Sequence, residues 1–410
     1  MVARVVDDAR CPGALHAVEA VDGLLARVRI PGGYIATRAF RALADLAEHN
    51  GDGNLDITAR ASLQIRGLTR ATREGFAVGL ASAGLLPSTD HERVRNVVAS
   101  TFAGYDATEL VDVRPVVRAF DAGLVRDPEL AKLPAKFVVA IDGCGLAPVD
   151  PRADLGLRAM RIGVEVRFAF TVGGVDTGTS VAIADGAALL LGAARTALAV
   201  ARGIRGDDRT WRIVASRTAS PRAPQPRGIV VAHDDGFRTI VPSVPLGRLT
   251  AAQARVLATL ADEFGAEIRL GAWRGVALVG IARPRVDDAV AALARIGLVL
   301  DNMDGFDGLA ACAGPSGCAS ALADVRADAV DFASRALDWQ PMFAWTMHVA
   351  GCEKRCAMRG GADVDLIARA DGYEVLAAGK HVLGGATAAV ALDLADEIRR
   401  DAIRLAGSRA

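Results

Sequence analysis

Two stretches of this chain repeat each other far apart in the sequence. PGGYIATRAFRALADLAEHNG at 31–51 matches PLGRLTAAQARVLATLADEFG at 245–265, with proline and glycine at the same places. Both show apolar residues at helical spacing, and each ends at a glycine, which is common just after a helix. A β-like stretch follows each one, at 54–68 and at 266–281. The repeat predicts two similar halves related by a pseudo-twofold axis.

A second pair of segments extends the duplication. LVDVR at 110–114 resembles LADVR at 322–326, and ADLGLRAM at 153–160 resembles ADVDLIAR at 362–369. Helices that alternate with short strands predict an α+β fold with antiparallel or mixed sheets. The order of the repeated segments predicts a small unit followed by a larger unit, and the same two units again after a proline-rich linker. The expected bounds are 10–85, 90–215, the linker 216–228, 229–300 and 301–405.

Four cysteines stand in the second copy, spaced as Cys-x5-Cys and Cys-x3-Cys. They are Cys312, Cys318, Cys352 and Cys356. A [4Fe–4S] cluster needs four thiolates, one for each iron, so this set predicts an iron–sulfur centre and redox chemistry. At the offset of the second repeat, Cys312 and Cys318 fall on Ser100 and Asp106. The first copy therefore lacks the first pair of ligands.

Other uses of cysteine stay open. A structural zinc site suits Cys-x3-Cys, but Cys-x5-Cys is wide for it. Disulfides need an oxidising compartment, and the charged opening MVARVVDDAR does not resemble a secretion signal. Cys11 and Cys144 have no partners at ligand spacing and are interpreted as buried free thiols.

Composition excludes several classes of partner. The chain has 48 basic and 48 acidic residues, so no overall charge favours a nucleic acid, and aromatic residues make up only 5%. The apolar stretch 184–201 contains Asp185 and Arg195 and is expected to be a buried amphipathic helix instead of a membrane span. A cytoplasmic location without membrane contact is expected.

These features together resemble the nitrite/sulfite reductase superfamily over almost the whole chain. Within it, the sequence most resembles the precorrin-3B synthases of aerobic cobalamin biosynthesis. The resembling stretches are CPGAL (11–15), DGLLARVRIPGG (22–33), LDITARASLQIRGL (55–68), LPAKFVVAIDG (133–143), Trp-Arg (273–274), ACAGPSGCASALADVRADA (311–329) and HVAGC (348–352). The resemblance implies ferredoxin-like half-domains at 10–85 and 229–300. It implies cluster-type domains at 90–215, without a cluster, and at 301–405, with one, and a tetrapyrrole between the copies.

The resemblance also implies a reaction. Precorrin-3A would be hydroxylated by O2 at C20 and form a γ-lactone, which makes the protein a monooxygenase. The implied cofactors are a [4Fe–4S] cluster and a mononuclear non-haem iron. NADH would act indirectly, because no nicotinamide site is visible, so a separate reductase or a ferredoxin would deliver electrons. The alternative is a sirohaem-dependent nitrite or sulfite reductase, in which Cys356 would bridge cluster and sirohaem. A third hypothesis is an iron–sulfur sensor or electron carrier without catalysis.

A precorrin carries many carboxylates, and arginine pairs with carboxylates in a bidentate manner. Arg27 and Arg29 share one face of a strand by period-two spacing, as do Arg60 and Gln64, so these four are candidates to bind substrate. For Arg27 and Arg29, a solvated strand face is an equally good interpretation.

Three further assignments follow from the resemblance and are treated as catalytic as well as substrate-binding. Arg60 stands at the arginine of the Thr-x-Arg motif and Lys136 at the first lysine of Lys-Phe-Lys. Arg274 falls on Arg60 at the offset of the first repeat, which predicts that the two face each other. The second lysine is replaced by Val138, which removes a cation expected for nitrite or sulfite. No pair among the six histidines has metal-ligand spacing; His348 is the best candidate for an iron ligand, and a hydrogen bond to the cluster region is an equal alternative.

Overall fold

The repeat in the sequence is a repeat of sheets in the computed structural model, whose described residues form four five-stranded sheets. The structure describes residues 11–147, 149, 153–205, 211, 213, 226–232, 234–300, 304–336, 345–358 and 361–407. The linker expected over 216–228 therefore lies outside the described residues up to 225.

The first small unit is a half-domain with two helices on one face of its sheet. Its elements are β1 (Val18–Ala20), β2 (Gly23–Val28), β3 (Tyr34–Ile35), α1 (Thr37–Asn50), β4 (Asn54–Ile57), β5 (Leu63–Leu68) and α2 (Thr72–Ser82). Helix α1 buries Phe40, Leu43, Ala44 and Ala47, which recur at helical spacing. The buried face explains why this stretch forms a helix.

The larger unit that follows has a mixed sheet. Its elements are β6 (Val97–Ala99), α3 (Arg114–Arg126), β7 (Val139–Asp142), β8 (Leu155–Ile162), β9 (Glu165–Val172), β10 (Val175–Ala182) and α4 (Gly186–Arg205). Strands β6, β7 and β8 are parallel neighbours, and β9 and β10 continue the sheet antiparallel.

The second half of the chain rebuilds both units. The small unit contains β11 (Gly228–Val231), β12 (Phe237–Val241), β13 (Arg248–Thr250), α5 (Ala251–Phe264), β14 (Glu267–Gly271), β15 (Gly275–Ala282) and α6 (Val286–Arg295). The larger unit contains β16 (Leu309–Ala311), α7 (Val325–Arg335), β17 (Met347–Ala350), β18 (Val364–Arg369), β19 (Gly372–Ala377), β20 (Lys380–Ala386) and α8 (Ala388–Gly407). In its sheet, β16, β17 and β18 are parallel neighbours, and β19 and β20 continue the sheet antiparallel, as in the first copy. The predicted α+β class with internal duplication is confirmed.

The two half-domains exchange a strand. The sheet orders are β1-β2-β5-β4-β13 and β11-β12-β15-β14-β3, so β13 completes the first sheet and β3 completes the second. Helices α1 and α5 pack together, and one apolar core contains residues of both half-domains. Arg255 bridges α5 to Glu48 on α1 at 2.8 Å. The two half-domains therefore form one packed unit.

The apolar stretch expected to form a buried amphipathic helix lies in α4. It packs one face, with Leu190, Ala194, Leu198 and Ala201, into the core of the first larger unit, although only 22% of the stretch is buried. By length and composition alone, the helix Ile183–Ile204 is also long and apolar enough to cross a membrane.

Candidate functional site

The four cysteines lie on two neighbouring loops. Cys312 directly follows β16, and Cys352 follows β17 after one residue. Because β16 and β17 are parallel neighbours, their carboxyl ends meet at one edge of the sheet. We call residues 312–324 the first cysteine loop and residues 351–358 the second. The sheet thus brings the two sequence-predicted cysteine pairs together.

Backbone hydrogen bonds hold the two cysteine loops against each other. The amide of Cys312 donates to the carbonyl of Val349 at 3.2 Å, and the amide of Leu322 donates to the carbonyl of Gly351 at 2.8 Å. A Cβ at Gly351 would lie 2.9 Å from the Cβ of Ala321. Glycine at this position therefore allows the loops to approach closely.

Cys312 is held in a setting that favours its thiolate. Burial alone would raise the pKa of Cys312, but a hydrogen bond from His348 and the backbone amides of Ala357 and Gly351 lower it to about 7. The Nε2 of His348 lies 3.5 Å from the Sγ. Since a metal-bound cysteine is a thiolate, this setting suits a metal ligand.

His348 is fully buried and fixed on its other side by a carboxylate. Its Nδ1 lies 3.3 Å from Oδ1 of Asp365, whose Oδ2 accepts hydrogen bonds from Arg355 at 3.3 Å and from the amide of Ala362 at 3.1 Å. Burial lowers the pKa of His348, and its bonds to Asp365 and Cys312 outweigh that effect and raise it. Of the two interpretations of His348, the structure shows the hydrogen bond to the cysteine region.

The donor set fits an iron–sulfur cluster. In the described part of the chain, no three His, Cys, Asp or Glu side chains converge on one point as ligands of a single metal ion would. A four-iron cluster takes one thiolate for each iron, so its ligands are spread around it. Four thiols on two adjoining loops, one of them with a lowered pKa, fit that requirement.

The first copy keeps one cysteine at a ligand position, which the sequence interpretation missed. Ser100 follows β6 as Cys312 follows β16, in agreement with the repeat. Cys144 follows β7 after one residue, as Cys352 follows β17. The matching signal in the sequence is Gly-Cys after each strand, at 143–144 and 351–352.

Hydrogen bonds close this corresponding place in the first copy. The Cys144 thiol donates to the carbonyl of Ala159 at 2.8 Å, and burial, followed by the Asp142 carboxylate, raises the pKa of Cys144 to about 11. The Ser100 hydroxyl donates to Asp142 at 3.2 Å. Asp106 accepts the amide and the hydroxyl of Thr108 at 2.8 and 2.7 Å. These polar groups satisfy one another within the protein.

A row of polar side chains crosses the first half-domain sheet. Arg27 pairs in register with Gln64, Gln64 with Asp56, and Asp56 with Arg248 on the exchanged strand. Arg27 donates to Oε1 of Gln64 at 2.9 Å. Arg29 lies beyond the strand and is buried, with Nη1 3.1 Å from the carbonyl of Pro12. The solvated-face interpretation is thus wrong for Arg29 and does not fit the half-buried Arg27.

Arg60 and Lys136 lie together at the junction of this half-domain with the first larger unit. Arg60 donates from Nη1 to Asn96 at 3.3 Å and from Nη2 to the carbonyl of Lys136 at 3.4 Å. Arg60 and Arg27 also lie near enough to Arg29 to lower its pKa, after the larger effect of burial. The structure therefore groups Arg27, Arg29, Gln64 and Arg60, and it joins Lys136 to them through its backbone carbonyl.

Arg274 lies beside the first cysteine loop. Burial lowers the pKa of Arg274, and Cys312 and Asp56 are the charged neighbours that oppose this effect. The Arg274 guanidinium makes no hydrogen bond or ion pair to the residues that the structure describes. It is therefore available to a ligand bound next to the cysteine loops.

The expected equivalence of Arg60 and Arg274 is wrong by one residue. Ala61 and Arg274 share a positive φ, at 50° and 67°, and each contacts the corresponding glycine, Gly33 or Gly247. The loop between β4 and β5 is two residues longer than the loop between β14 and β15. The constant offset between the two repeats therefore does not match equivalent residues inside this loop.

Two family models match this chain. The nitrite/sulfite reductase ferredoxin-like half domain matches residues 16–83 and 231–296, and the nitrite and sulphite reductase 4Fe-4S domain matches residues 90–188. Together they cover more than half of the chain. The chain belongs to the nitrite/sulfite reductase family. The 4Fe-4S domain match falls on the first copy, and the four cysteines lie in the second.

Known proteins of two activities are similar to this chain. A precorrin-3B synthase from Sinorhizobium sp is 29% identical over 391 residues, covering 90% of this chain and 82% of the relative. A ferredoxin–nitrite reductase from Synechococcus elongatus is 27% identical over 398 residues, covering 86% and 78%. The solved NirA protein of Mycobacterium tuberculosis has the same fold, with a TM-score of 0.70, 18% identity and coverage of 88% of this chain and 75% of that one. The resemblance to the superfamily is confirmed, and the family identifies an iron–sulfur oxidoreductase.

Proposed function

We propose that this protein is a precorrin-3B synthase-like monooxygenase that carries a [4Fe–4S] cluster on Cys312, Cys318, Cys352 and Cys356. The identities to precorrin-3B synthase and to nitrite reductase are too similar to separate the two activities. The observation that carries the proposal is local. Val138 stands where the resemblance expects a second lysine for a small anion, and it is buried in an apolar cluster with Val98, Ala140, Val149 and Ala153. Such a position cannot offer a cation to nitrite or sulfite.

The proposed reaction needs electrons from outside the chain. One oxygen atom of O2 enters C20 of precorrin-3A, the ring A acetate closes the γ-lactone, and the other oxygen atom leaves as water. Two electrons and two protons are required for this balance. We propose that NADH supplies them through a separate reductase or through a ferredoxin, in the cytoplasm, where thiols stay reduced. A bound cluster transfers single electrons.

The chain's own residues bind and orient the substrate in this proposal. Arg27, Arg60 and Lys136 would pair with the acetate and propionate carboxylates, the buried Arg29 would contribute through its positive charge beside Arg27 and Arg60, and Gln64 holds Arg27 in place. Arg274 offers a guanidinium from the side of the cysteine loops. Carboxylates bound from both directions would fix the orientation of a large, flexible precorrin.

The alternative is a sirohaem-dependent nitrite or sulfite reductase. It is supported by the nitrite reductase relatives and by the exposed Cys356, the residue that would bridge cluster and sirohaem. A visible spectrum of the purified protein separates the two functions, because sirohaem gives Soret and α bands that a precorrin monooxygenase lacks. An electron carrier without catalysis is a third function, and it predicts no binding of precorrin-3A.

The test is anaerobic purification, analysis of iron and acid-labile sulfide, and turnover of precorrin-3A under 18O2. We expect the iron and sulfide of one [4Fe–4S] cluster in each chain and one labelled oxygen in the product. Iron above four atoms would indicate the mononuclear iron that the family resemblance implies, for which the described residues offer no three-ligand site. Cys356→Ser should lose cluster and activity. Cys144→Ser is the matched control, because Cys144 stands in the first copy at the position that Cys352 has in the second. This variant should keep the cluster and the activity. Full activity of Cys356→Ser without a cluster would sink the proposal.

A further inference from the structure

One buried arginine joins the first half-domain to the first cysteine loop. Arg66 on β5 is only 5% exposed. It forms a bidentate ion pair with Asp22, with Nε 2.6 Å from Oδ2 and Nη2 2.9 Å from Oδ1. The same Nη2 donates to the carbonyl of Gly317, the residue before Cys318. Asp22 therefore fixes the guanidinium, and the guanidinium fixes the loop.

The identity of residue 317 agrees with this contact. A Cβ at Gly317 would lie 2.5 Å from Nη2 and 3.0 Å from Cζ of Arg66. Gly317 does not adopt a positive φ, so the backbone itself does not require glycine. The space that glycine leaves is occupied by the Arg66 guanidinium.

A second arginine holds the other end of the same loop. Arg326 on α7 donates from Nε to the carbonyl of Cys312 at 3.3 Å, and its Nη2 lies 3.8 Å from Asp56 on β4. Carbonyls at Cys312 and immediately before Cys318 are thus both bonded to guanidinium groups that carboxylates of the first half-domain orient. Arg66 and both carboxylates, Asp22 and Asp56, lie outside the domain that bears the first cysteine pair, whereas Arg326 lies within it.

The copy without the four cysteines uses other contacts. The counterpart of Arg66 in the second half-domain is Val279. Each residue precedes a glycine with positive φ, Gly67 at 72° on β5 and Gly280 at 84° on the corresponding strand β15. Val279 belongs to an apolar cluster with Phe102 on the loop after β6.

The counterpart of Arg326 in the repeat is Arg114, and it too contacts different groups. Arg114 pairs with Asp112 at 2.8 Å and with Glu267 at 3.2 Å. The two arginine-to-carbonyl contacts thus occur on the loop that bears cysteines, and different contacts replace them on its counterpart.

We propose that Arg66 is a positioning residue for the cluster, which it serves by holding the Gly317–Cys318 segment in its ligating position and by placing a buried positive charge beside it. The inference rests on the cluster assignment made above. A fixed loop slows the release of Cys318 from its iron. The Arg66 guanidinium also offsets the Asp22 carboxylate, which alone would disfavour the reduced, more negative cluster. Arg66 therefore acts through the loop and does not touch the substrate.

The test compares Arg66→Met, Arg66→Lys and Gly317→Ala in the full-length protein. Arg70→Met is the matched control, because Arg70 lies just beyond the same strand and pairs with Glu19 at the exposed surface. For each variant we would measure iron and sulfide per chain, the rate of cluster loss to an iron chelator, and the reduction potential by electron paramagnetic resonance.

We expect Arg66→Met to lose its cluster at least about tenfold faster and to shift the potential to a more negative value, with Arg66→Lys intermediate and Arg70→Met unchanged. Gly317→Ala keeps the positive charge of Arg66 but displaces its guanidinium from the loop, so this variant should also lose its cluster faster. If Arg66→Met does not fold, the result for Gly317→Ala tests the inference. Wild-type rates and potential in folded Arg66→Met and in Gly317→Ala would overturn the inference. Absence of iron and sulfide from the wild-type protein would instead overturn the proposed function, and the inference with it.

Discussion

In protein prepared without a cluster, Cys312 should react with iodoacetamide far faster than Cys144. The thiolate is the reactive form of cysteine. The His348 hydrogen bond and the backbone amides around Cys312 overcome the effect of burial and hold its pKa at about 7. Burial and the Asp142 carboxylate raise the pKa of Cys144 to about 11.

The two pKa values set the expected rates. At pH 7 about half of Cys312 is thiolate, against about one Cys144 in ten thousand. A thiolate of higher pKa is the better nucleophile, and over a pKa difference of about 4 the Cys144 thiolate is about sixtyfold more reactive at a Brønsted slope near 0.45. The net rate ratio of Cys312 to Cys144 is therefore about 80. At pH 9 Cys312 is ionised and Cys144 reaches about one in a hundred, so the ratio falls to about 2.

Peptide mass spectrometry of samples alkylated for fixed times at pH 7 and pH 9 gives both rates. His348→Phe removes the hydrogen bond and leaves the effect of burial, so the pKa of Cys312 rises and its rate at pH 7 falls severalfold. His381→Phe, on the exposed face of β20, is the control and should leave the rate unchanged. Equal rates for Cys312 and Cys144 at pH 7, or a ratio that does not change with pH, would refute this account of the two loops.

Two further predictions concern the half-domains. Gly33 and Gly53 both have φ of 75°, but a Cβ at Gly33 would lie 2.1 Å from the carbonyl oxygen of Leu270, whereas Gly53 faces open space. In urea unfolding, Gly53→Ala should cost about 1 kcal/mol of stability from strain alone, and Gly33→Ala at least about 2 kcal/mol more; equal losses would contradict the close contact. Arg274→Met should weaken binding of an eight-carboxylate precorrin analogue about 10- to 100-fold in a fluorescence titration, with the exposed Arg285→Met as control, and unchanged affinity would remove Arg274 from the binding site.

The duplication and the α+β class were predictable because helical periodicity survives in both copies. The details at matching residues were not. Gly265 ends α5 in the left-handed region at φ 64°, as expected after a helix. Gly51 ends α1 at φ −124°, and glycine is needed there because a Cβ would lie 2.5 Å from the carbonyl oxygen of Arg66. The sequence shows the same residue for two different physical reasons.

The spacing of the four cysteines can be read from the sequence, whereas the contacts that support their loops cannot. Arg66 looks like any other arginine on a strand, because its partners Asp22 and Gly317 are distant in sequence and are brought to it by packing. Cys144 aligns with Cys352 only after β7 and β17 are placed, since the insertions between the cysteine loops differ in length. The exchanged strands β3 and β13 have two and three residues, too few to show period-two alternation.

The exchange of β3 and β13 has a consequence for synthesis on the ribosome. Strand β4 obtains its outer neighbour only when residue 250 has left the exit tunnel, about 190 residues after β4 itself, or roughly 10 to 40 s later at common elongation rates. During that interval the first half-domain presents an unpaired strand edge, the kind of surface that joins other chains. The newly made N-terminal part is therefore a ready client for chaperones, and a stalled or truncated chain that ends before residue 248 is expected to aggregate.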